Sequence, residues 1–193
     1  MLQRSRFANA DVSGVARFLD QNERIQFELT GQPKTGGKLA LSGETRPAAL
    51  QQTTLNIEAE NLLATEISRL IDLPINLQAG RVDGDLRVQL QPEGQQPAIA
   101  GTASLSNVTA KIENVPNLFT NTQGKLLFKP DRTIALQNVT THYGKIPVQI
   151  GGSLNTLKGY NLSGQVKAVS ANNLLNTLNV ESPFPTKGTL RAD

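Results

Sequence analysis

Residues 124–154 read GKLLFKPDRTIALQNVTTHYGKIPVQIGGSL and contain three strand-like runs in succession. In each run apolar side chains alternate with polar ones, as at Leu126 and Phe128, which neighbour Lys125 and Lys129. Alternation with a period of two places the apolar side chains of a strand on one face. The stretch therefore predicts an antiparallel meander with one apolar and one polar face.

The breaks between these runs predict turns. Residues 129–132 (KPDR) have the composition of a turn, and the run at 134–136 shifts phase before Val139, which indicates a β-bulge. The next break, at 142–145, begins with His142, the one histidine of the chain. We predict that His142 is a polar turn residue, because no neighbour supplies the nucleophile or carboxylate that a catalytic histidine needs.

Similar alternation continues along most of the chain. It is cleanest over residues 82–90 and weakest over residues 10–18, which we interpret as a possible strand. Over residues 61–71 the apolar period becomes helical, and Asn61 is in place to act as an N-cap. A second short helix is predicted at residues 172–178.

Composition excludes several function classes. The 193 residues contain 4% aromatic residues, no cysteine and a net charge of +3 without a basic run. Without cysteine, thiolate metal sites and disulfides are excluded. We expect no nucleic-acid binding, because the chain has too few aromatic side chains on which bases could stack. No apolar run approaches the ~18 residues of a membrane-spanning helix.

No constellation of residues predicts catalysis. Residues 31–38, GQPKTGGK, lack the Gly-Lys-Ser/Thr ending of a P-loop and predict a hairpin loop instead. Asp83 and Asp85 flank a glycine, but the remaining ligands of a calcium loop are missing. We expect a protein that is not an enzyme and that takes no cofactor and no metal ion.

Two parts of the chain resemble each other. The matching segments, in order, are 39–43 with 148–152, 57–63 with 169–175, and 84–87 with 188–191. Such self-similarity indicates an array whose units cannot bury their apolar face alone. We predict a first β-groove repeat over residues 20–92, with its helix near 61–71, and a second over 93–193, with its helix near 172–178.

The two ends of the chain carry separate expectations. Residues 1–19 are interpreted either as an N-terminal strand or as a sheet edge created by the point at which the sequence was cut. The sequence stops within a strand-like run at residues 188–193, so we expect a fragment of a much longer protein.

Glycine recurs on the apolar face, at Gly84, Gly101, Gly152 and Gly164. A glycine inside a strand costs about 0.5–1 kcal/mol relative to alanine, so repeated use requires a reason. Curvature of the sheet toward that face is one reason. Unrelated β-bulges are the alternative.

These patterns predict an all-β fold: a curled, mostly antiparallel open sheet that forms a taco-like hydrophobic groove, with two short helices at its edge or plugging it. The residues predicted to line the groove are Leu86, Val88, Leu90, Ile99, Leu126, Phe128, Ile134, Leu136, Ile146, Val148, Ile150 and Val166. An open groove of this kind usually marks a ligand site, and acyl chains fit it. The alternative is a closed β-sandwich with a dry core that acts as a protein-interaction scaffold.

One family shares several short motifs with this chain. They are Gly124-Lys125-Leu126-x-Phe128, Gln137-Asn138-Val139, Tyr143-Gly144-x-Ile146-Pro147-Val148 and Gly152-Ser153-Leu154. The chain thereby resembles the TamB/AsmA-like family, and in particular its cyanobacterial and chloroplast-envelope members.

The resemblance implies a long protein that is anchored in the inner membrane and spans the periplasm or intermembrane space. Its apolar β-groove would conduct phospholipids between the two membranes, support outer-membrane protein assembly, or both. The implied partners are phospholipid acyl chains and an outer-membrane β-barrel assembly protein, the latter through other parts of the full-length chain. The family implies no catalytic residues.

Overall fold

A computed structural model describes residues 10–49, 53–70, 75–92, 95, 97–113, 115–155, 157–178, 180 and 188–192. They form one antiparallel sheet of eleven strands, in which strands adjacent in sequence are adjacent in the sheet. The strands are β1 (Ala10–Leu19), β2 (Arg24–Pro33), β3 (Lys38–Thr45), β4 (Thr54–Leu63), β5 (Asn76–Gln89), β6 (Ala98–Lys111), β7 (Phe119–Phe128), β8 (Thr133–Tyr143), β9 (Ile146–Asn155), β10 (Gly159–Ser170) and β11 (Thr189–Ala192). Two short helices, α1 (Ala64–Leu70) and α2 (Ala171–Leu178), directly follow β4 and β10.

The sheet is curled and open, with β1 and β11 as its edges. Within the described ranges, no second sheet packs over it. The predicted all-β architecture, a curled antiparallel open sheet with two short helices, is confirmed. The alternative of a closed β-sandwich is wrong, because every strand joins the same sheet beside its predecessor.

An up-and-down meander gives the sheet two distinct ends. The connections after β2, β4, β6, β8 and β10 lie at one end, together with both helices, and we call this the helix end. The connections after β1, β3, β5, β7 and β9 lie at the opposite end, which we call the turn end. The predicted turn at 129–132 is confirmed, and the hairpin loop predicted at 31–37 is confirmed for residues 34–37, whereas residues 31–33 belong to β2.

Bulges interrupt the strand register where the sequence loses its phase. The register shifts between Leu105 and Val108 and again between Leu136 and Val139. Asn107 and Asn138 each adopt a φ of 52° inside these shifts, a left-handed conformation that asparagine tolerates better than most residues. The bulge predicted before Val139 is confirmed.

Two local predictions are wrong. Asn61 does not cap a helix: it lies within β4 at a φ of 48°, in a register shift, and α1 begins at Ala64. His142 is not a turn residue, because it belongs to β8 and pairs with Pro147 of β9. The predicted helix end at Ile71 lies outside the described residues, whereas the helix predicted at 172–178 is confirmed, beginning one residue earlier.

None of the described helices is long and apolar enough to cross a membrane.

Candidate functional site

The strand registers place apolar side chains of β1 to β10 on one face, which we call the apolar face. Directly paired residues of antiparallel strands point to the same side of the sheet. One row of such pairs crosses ten strands without a gap: Gly14, Leu29, Leu41, Ile57, Leu86, Gly101, Phe128, Ile134, Leu154 and Tyr160. The apolar surface is therefore continuous across the sheet.

The predicted lining residues share this face, with one exception. Eleven of the twelve lie in strands whose registers bring them together there. Leu90 lies just beyond the end of β5, where its backbone N–H donates to the Thr53 carbonyl at 3.0 Å. Leu86, Val88 and Ile146 are buried, and the other lining residues are half-buried. Their contact with lipid stays a prediction.

The middle of the apolar face is filled by the protein's own side chains. Helix α1 inserts Ala64, which is fully buried, and Ile67 packs against the same cluster. The buried members of this cluster are Ala64, Leu77, Val82, Ala103, Val108 and Ala110. These residues come from β5, β6 and α1, so α1 covers the face at the helix end of the central strands.

Toward both edges of the sheet the apolar face is open. Val12 and Phe18 of β1 are exposed, as is Leu29 of β2. At the opposite edge, Tyr160 and Leu162 of β10 are exposed on the same face. The sequence prediction missed these five residues as lining residues. Alternation could have placed them on the face, but not shown that nothing covers them.

The glycines of the apolar face serve two different purposes. Gly101 and Gly152 adopt φ angles of 131° and 109°, and a Cβ on either would lie 2.1 Å from a carbonyl oxygen of a neighbouring strand. Gly84 and Gly164 have room for a methyl group, whose nearest neighbours would lie at 3.5 and 3.8 Å. The first pair is required by the backbone, whereas the second pair only removes side-chain volume from the face.

Two threonine hydroxyls on the apolar face are paired with each other. Thr122 and Thr141, opposite neighbours of Val108 and Val148, join their hydroxyl groups at 2.8 Å. The Thr141 hydroxyl also donates to the Thr120 carbonyl at 3.2 Å. Satisfied hydroxyls of this kind cost little in an apolar surface, so the face remains suited to hydrocarbon.

The titratable groups of the described residues form no metal site. Among the described residues, no group of three or more His, Asp or Glu side chains could hold a metal ion. The Nδ1 atom of His142 is buried without a hydrogen-bond partner. Hydrogen bonds from Thr133 hold the pKa of the Asp131 carboxyl below its ordinary value, and this group is fully exposed in a turn.

Comparison with known proteins gives two relatives. The chain is 25% identical over 192 residues to the protein SUBSTANDARD STARCH GRAIN 4, chloroplastic, of Oryza sativa subsp. japonica, with 93% of this chain covered. It is 25% identical over 195 aligned positions to Protein TIC236, chloroplastic, of Arabidopsis thaliana, with 94% covered. No protein-family model matches the chain, and no solved structure matches it significantly. The chain spans 9% of each relative's length. Nearly the whole chain is therefore similar to a small part of each of two chloroplastic proteins.

Proposed function

We propose that this chain is a non-enzymatic segment of an envelope protein whose apolar face carries lipid acyl chains between two membranes. The observation that carries the proposal is the uninterrupted apolar row across ten strands, left open at Val12, Phe18 and Leu29 on one side and at Tyr160 and Leu162 on the other. A soluble surface rarely exposes contiguous apolar area without a ligand or partner.

Energetics favour acyl chains as the ligand. Burying hydrocarbon contributes about 0.8 kcal/mol per CH₂, so an acyl chain that buries about ten methylenes gains roughly 8 kcal/mol, from which the entropic cost of association is subtracted. The face offers aliphatic side chains and internally paired threonines, and it presents no charged side chain in the row. This surface discriminates by hydrophobicity rather than by head-group chemistry.

The similarity to two chloroplastic proteins supports a segment of a long envelope protein. Under the proposal, the full-length protein is anchored in the inner membrane, spans the periplasm or intermembrane space, and contacts an outer-membrane β-barrel assembly protein through other segments. Support of outer-membrane protein assembly is the second role of the same apolar face, since unfolded barrel strands also present alternating apolar side chains.

A matched pair of residues on β1 tests the proposal. Val12 and Val15 are 57% and 56% exposed, but Val12 shares the apolar face while Val15 pairs with Glu28 on the polar face. The substitution V12D should weaken binding of a fluorescent fatty acid about tenfold, because it places a charge where hydrocarbon binds. V15D should leave binding unchanged. Equal effects of the two folded variants would refute the proposal.

A further inference from the structure

Two neighbouring turns at the turn end are fastened together by one side chain. Asn155 Nδ2 donates to the Asp131 carbonyl at 3.0 Å and to Thr133 Oγ1 at 2.9 Å. Its Oδ1 accepts hydrogen bonds from the backbone N–H groups of Leu157 and Lys158, both at 3.0 Å. The described residues of the β7–β8 and β9–β10 turns are therefore one preorganised unit, which we call the paired turns (residues 129–132, 155 and 157–160).

The paired turns present large apolar side chains to solvent. Leu157 is 70% exposed at the tip of its turn, and Tyr160, at the start of β10, is 80% exposed. The Asn155 hydrogen bonds hold the backbone at Leu157, so the leucine projects from a fixed turn. A fixed, protruding leucine beside a tyrosine is an arrangement that suits insertion into a lipid interface, where tyrosine is enriched.

Positive charge surrounds these apolar side chains. Lys129 and Lys158 are exposed, and within the described ranges neither forms an ion pair. The carboxylate of Asp131 is engaged within its own turn, where Oδ1 accepts the Thr133 N–H at 3.1 Å. The Thr133 hydrogen bonds lower the pKa of the Asp131 carboxyl most, and the charges of Lys129 and Lys158 lower it further, but neither lysine forms an ion pair with it among the described residues. Both ammonium groups can therefore also contact an anion outside the protein.

The β1–β2 turn at the same end of the sheet has the opposite character. Arg24 is paired with Asp20 at 2.5 Å and with Glu44 at 3.3 Å, and Glu23 adds a further negative charge. The combination of basic and exposed apolar side chains is therefore found at the paired turns and is absent from the β1–β2 turn.

We propose that the paired turns bind the surface of an anionic lipid bilayer, with Leu157 and Tyr160 entering the interface and Lys129 and Lys158 contacting lipid phosphates. Anionic head groups attract lysines near the surface, and apolar burial adds to this attraction. A bilayer fits better than a protein strand, because the backbone N–H groups at the tip are already bound by Asn155. Lys129, Leu157 and Lys158 lie outside the apolar row, so they distinguish this contact from lipid carriage by the apolar face, whereas Tyr160 belongs to both.

Vesicle flotation with the full 193-residue chain tests the proposal. The protein should float with vesicles that contain phosphatidylglycerol, and binding to pure phosphatidylcholine vesicles should be much weaker. Binding should fall as salt is raised. The changes K129Q and K158Q should each weaken binding about fivefold, and together about twentyfold. L157S and Y160S should each weaken it at constant charge.

Two controls separate this contact from the apolar face. V15S changes an exposed valine on the polar face of β1, and V12D weakens acyl binding by the apolar face; both should float like the unchanged chain. Flotation that is lost in V12D but kept in L157S would assign binding to the apolar face and overturn the proposal. Absence of flotation, or variants of the paired turns that float normally while losing a protein partner, would also overturn it. Matching urea midpoints establish that each variant is folded.

Discussion

Two nearly identical pentapeptides, AENLL at residues 59–63 and ANNLL at 171–175, adopt different structures in the two self-similar parts of the chain, which we call the first and the second copy. The first continues strand β4 through a bulge at Asn61 and ends where α1 begins. The second forms the first turns of helix α2. Their difference shows that the surroundings of this motif, more than its own residues, decide between strand and helix.

The neighbouring strand holds the first copy extended. The Asn61 N–H donates to Asp83 Oδ1 at 2.8 Å, and Arg81 Nη1 donates to the Asn61 carbonyl at 3.0 Å. Leu62 and Leu63 then pair with Val82 and Arg81. At the repeat offset of 104 residues, Arg81 and Asp83 correspond to Pro185 and Lys187, which cannot supply the same two hydrogen bonds.

The opposite neighbour leaves space for the same bulge. Gly37 has a φ of 91°, and a Cβ there would lie 2.5 Å from the Asn61 carbonyl oxygen. At the repeat offset of 109 residues the second copy has Ile146, which is buried. A side chain at this position is incompatible with a bulged strand of the first copy's geometry.

Local sequence starts the helix of the second copy. Ser170 precedes α2, and its Oγ accepts the Asn173 N–H at 3.3 Å, which is the bond of a helix N-cap. The corresponding residue of the first copy is Glu58, a poor N-cap. The neighbours of the second copy disfavour a bulged strand, and its Ser170 cap favours a helix. Both effects therefore favour the helical structure of the second copy.

The largest expected difference between the copies is at their first leucine. Leu62 is 1% exposed, whereas Leu174 is half-buried on α2. L62A should lower the free energy of unfolding by about 3 kcal/mol, because it leaves a cavity in a packed region, and L174A by about 1 kcal/mol. Urea denaturation of the two variants measures the difference. Equal losses would show that the strand form is no better packed than the helix.

The next effect concerns the glycine beside the bulge. G37A should cost about 2 kcal/mol, since alanine is strained at a positive φ and its methyl group would meet the Asn61 carbonyl. The control G31A, where φ is not positive and the nearest atom would lie 3.8 Å away, should be neutral or slightly stabilising. Thermal unfolding of both variants distinguishes these outcomes. If G37A is as stable as the unchanged chain, Gly37 is not required for the bulge at Asn61.

The carboxylate that binds Asn61 should contribute less. D83A should lower the free energy of unfolding by about 1.5 kcal/mol, because a charge-assisted hydrogen bond to the bulge is lost. Asp85 lies on the same face of β5 and is exposed, so D85A is the matched control and should change stability little. Hydrogen exchange at Asn61 should accelerate in D83A alone; unchanged exchange would contradict the role of Asp83.

The smallest expected effect is at the helix cap. S170A should cost about 1 kcal/mol and increase hydrogen exchange in the first turn of α2. E58A, at the equivalent position of the first copy, should not change exchange at residues 61–63. If both variants behave alike, the serine does not determine which copy becomes helical.

The sequence predicted the sheet well and its exceptions less well. Alternation over residues 82–90 and the phase shift before Val139 identified strands and a bulge, because both depend on residues close in sequence. Asn61 was assigned as an N-cap because its stabilising partners, Asp83 and Arg81, are about twenty residues away. Periodicity carries no information about such partners.

The sequence predicts which residues belong to the apolar face, but it does not predict which of them are exposed. Strand alternation identifies Leu86, Phe128 and Ile134 as members of one face, and the registers agree. It does not indicate that Ala64 of α1 fills the centre of that face, or that Tyr160 stays uncovered. Coverage depends on how far the sheet curls and where the helix lies, and both are set by tertiary packing.

Native mass spectrometry of the purified chain tests the central claim most directly, namely that the open apolar face holds acyl lipid. After incubation with phospholipid vesicles, we expect masses of the protein plus one or more phospholipids, and fewer such species for V12D than for V15D. A spectrum with only the lipid-free protein, from a chain shown to be folded, would contradict the account.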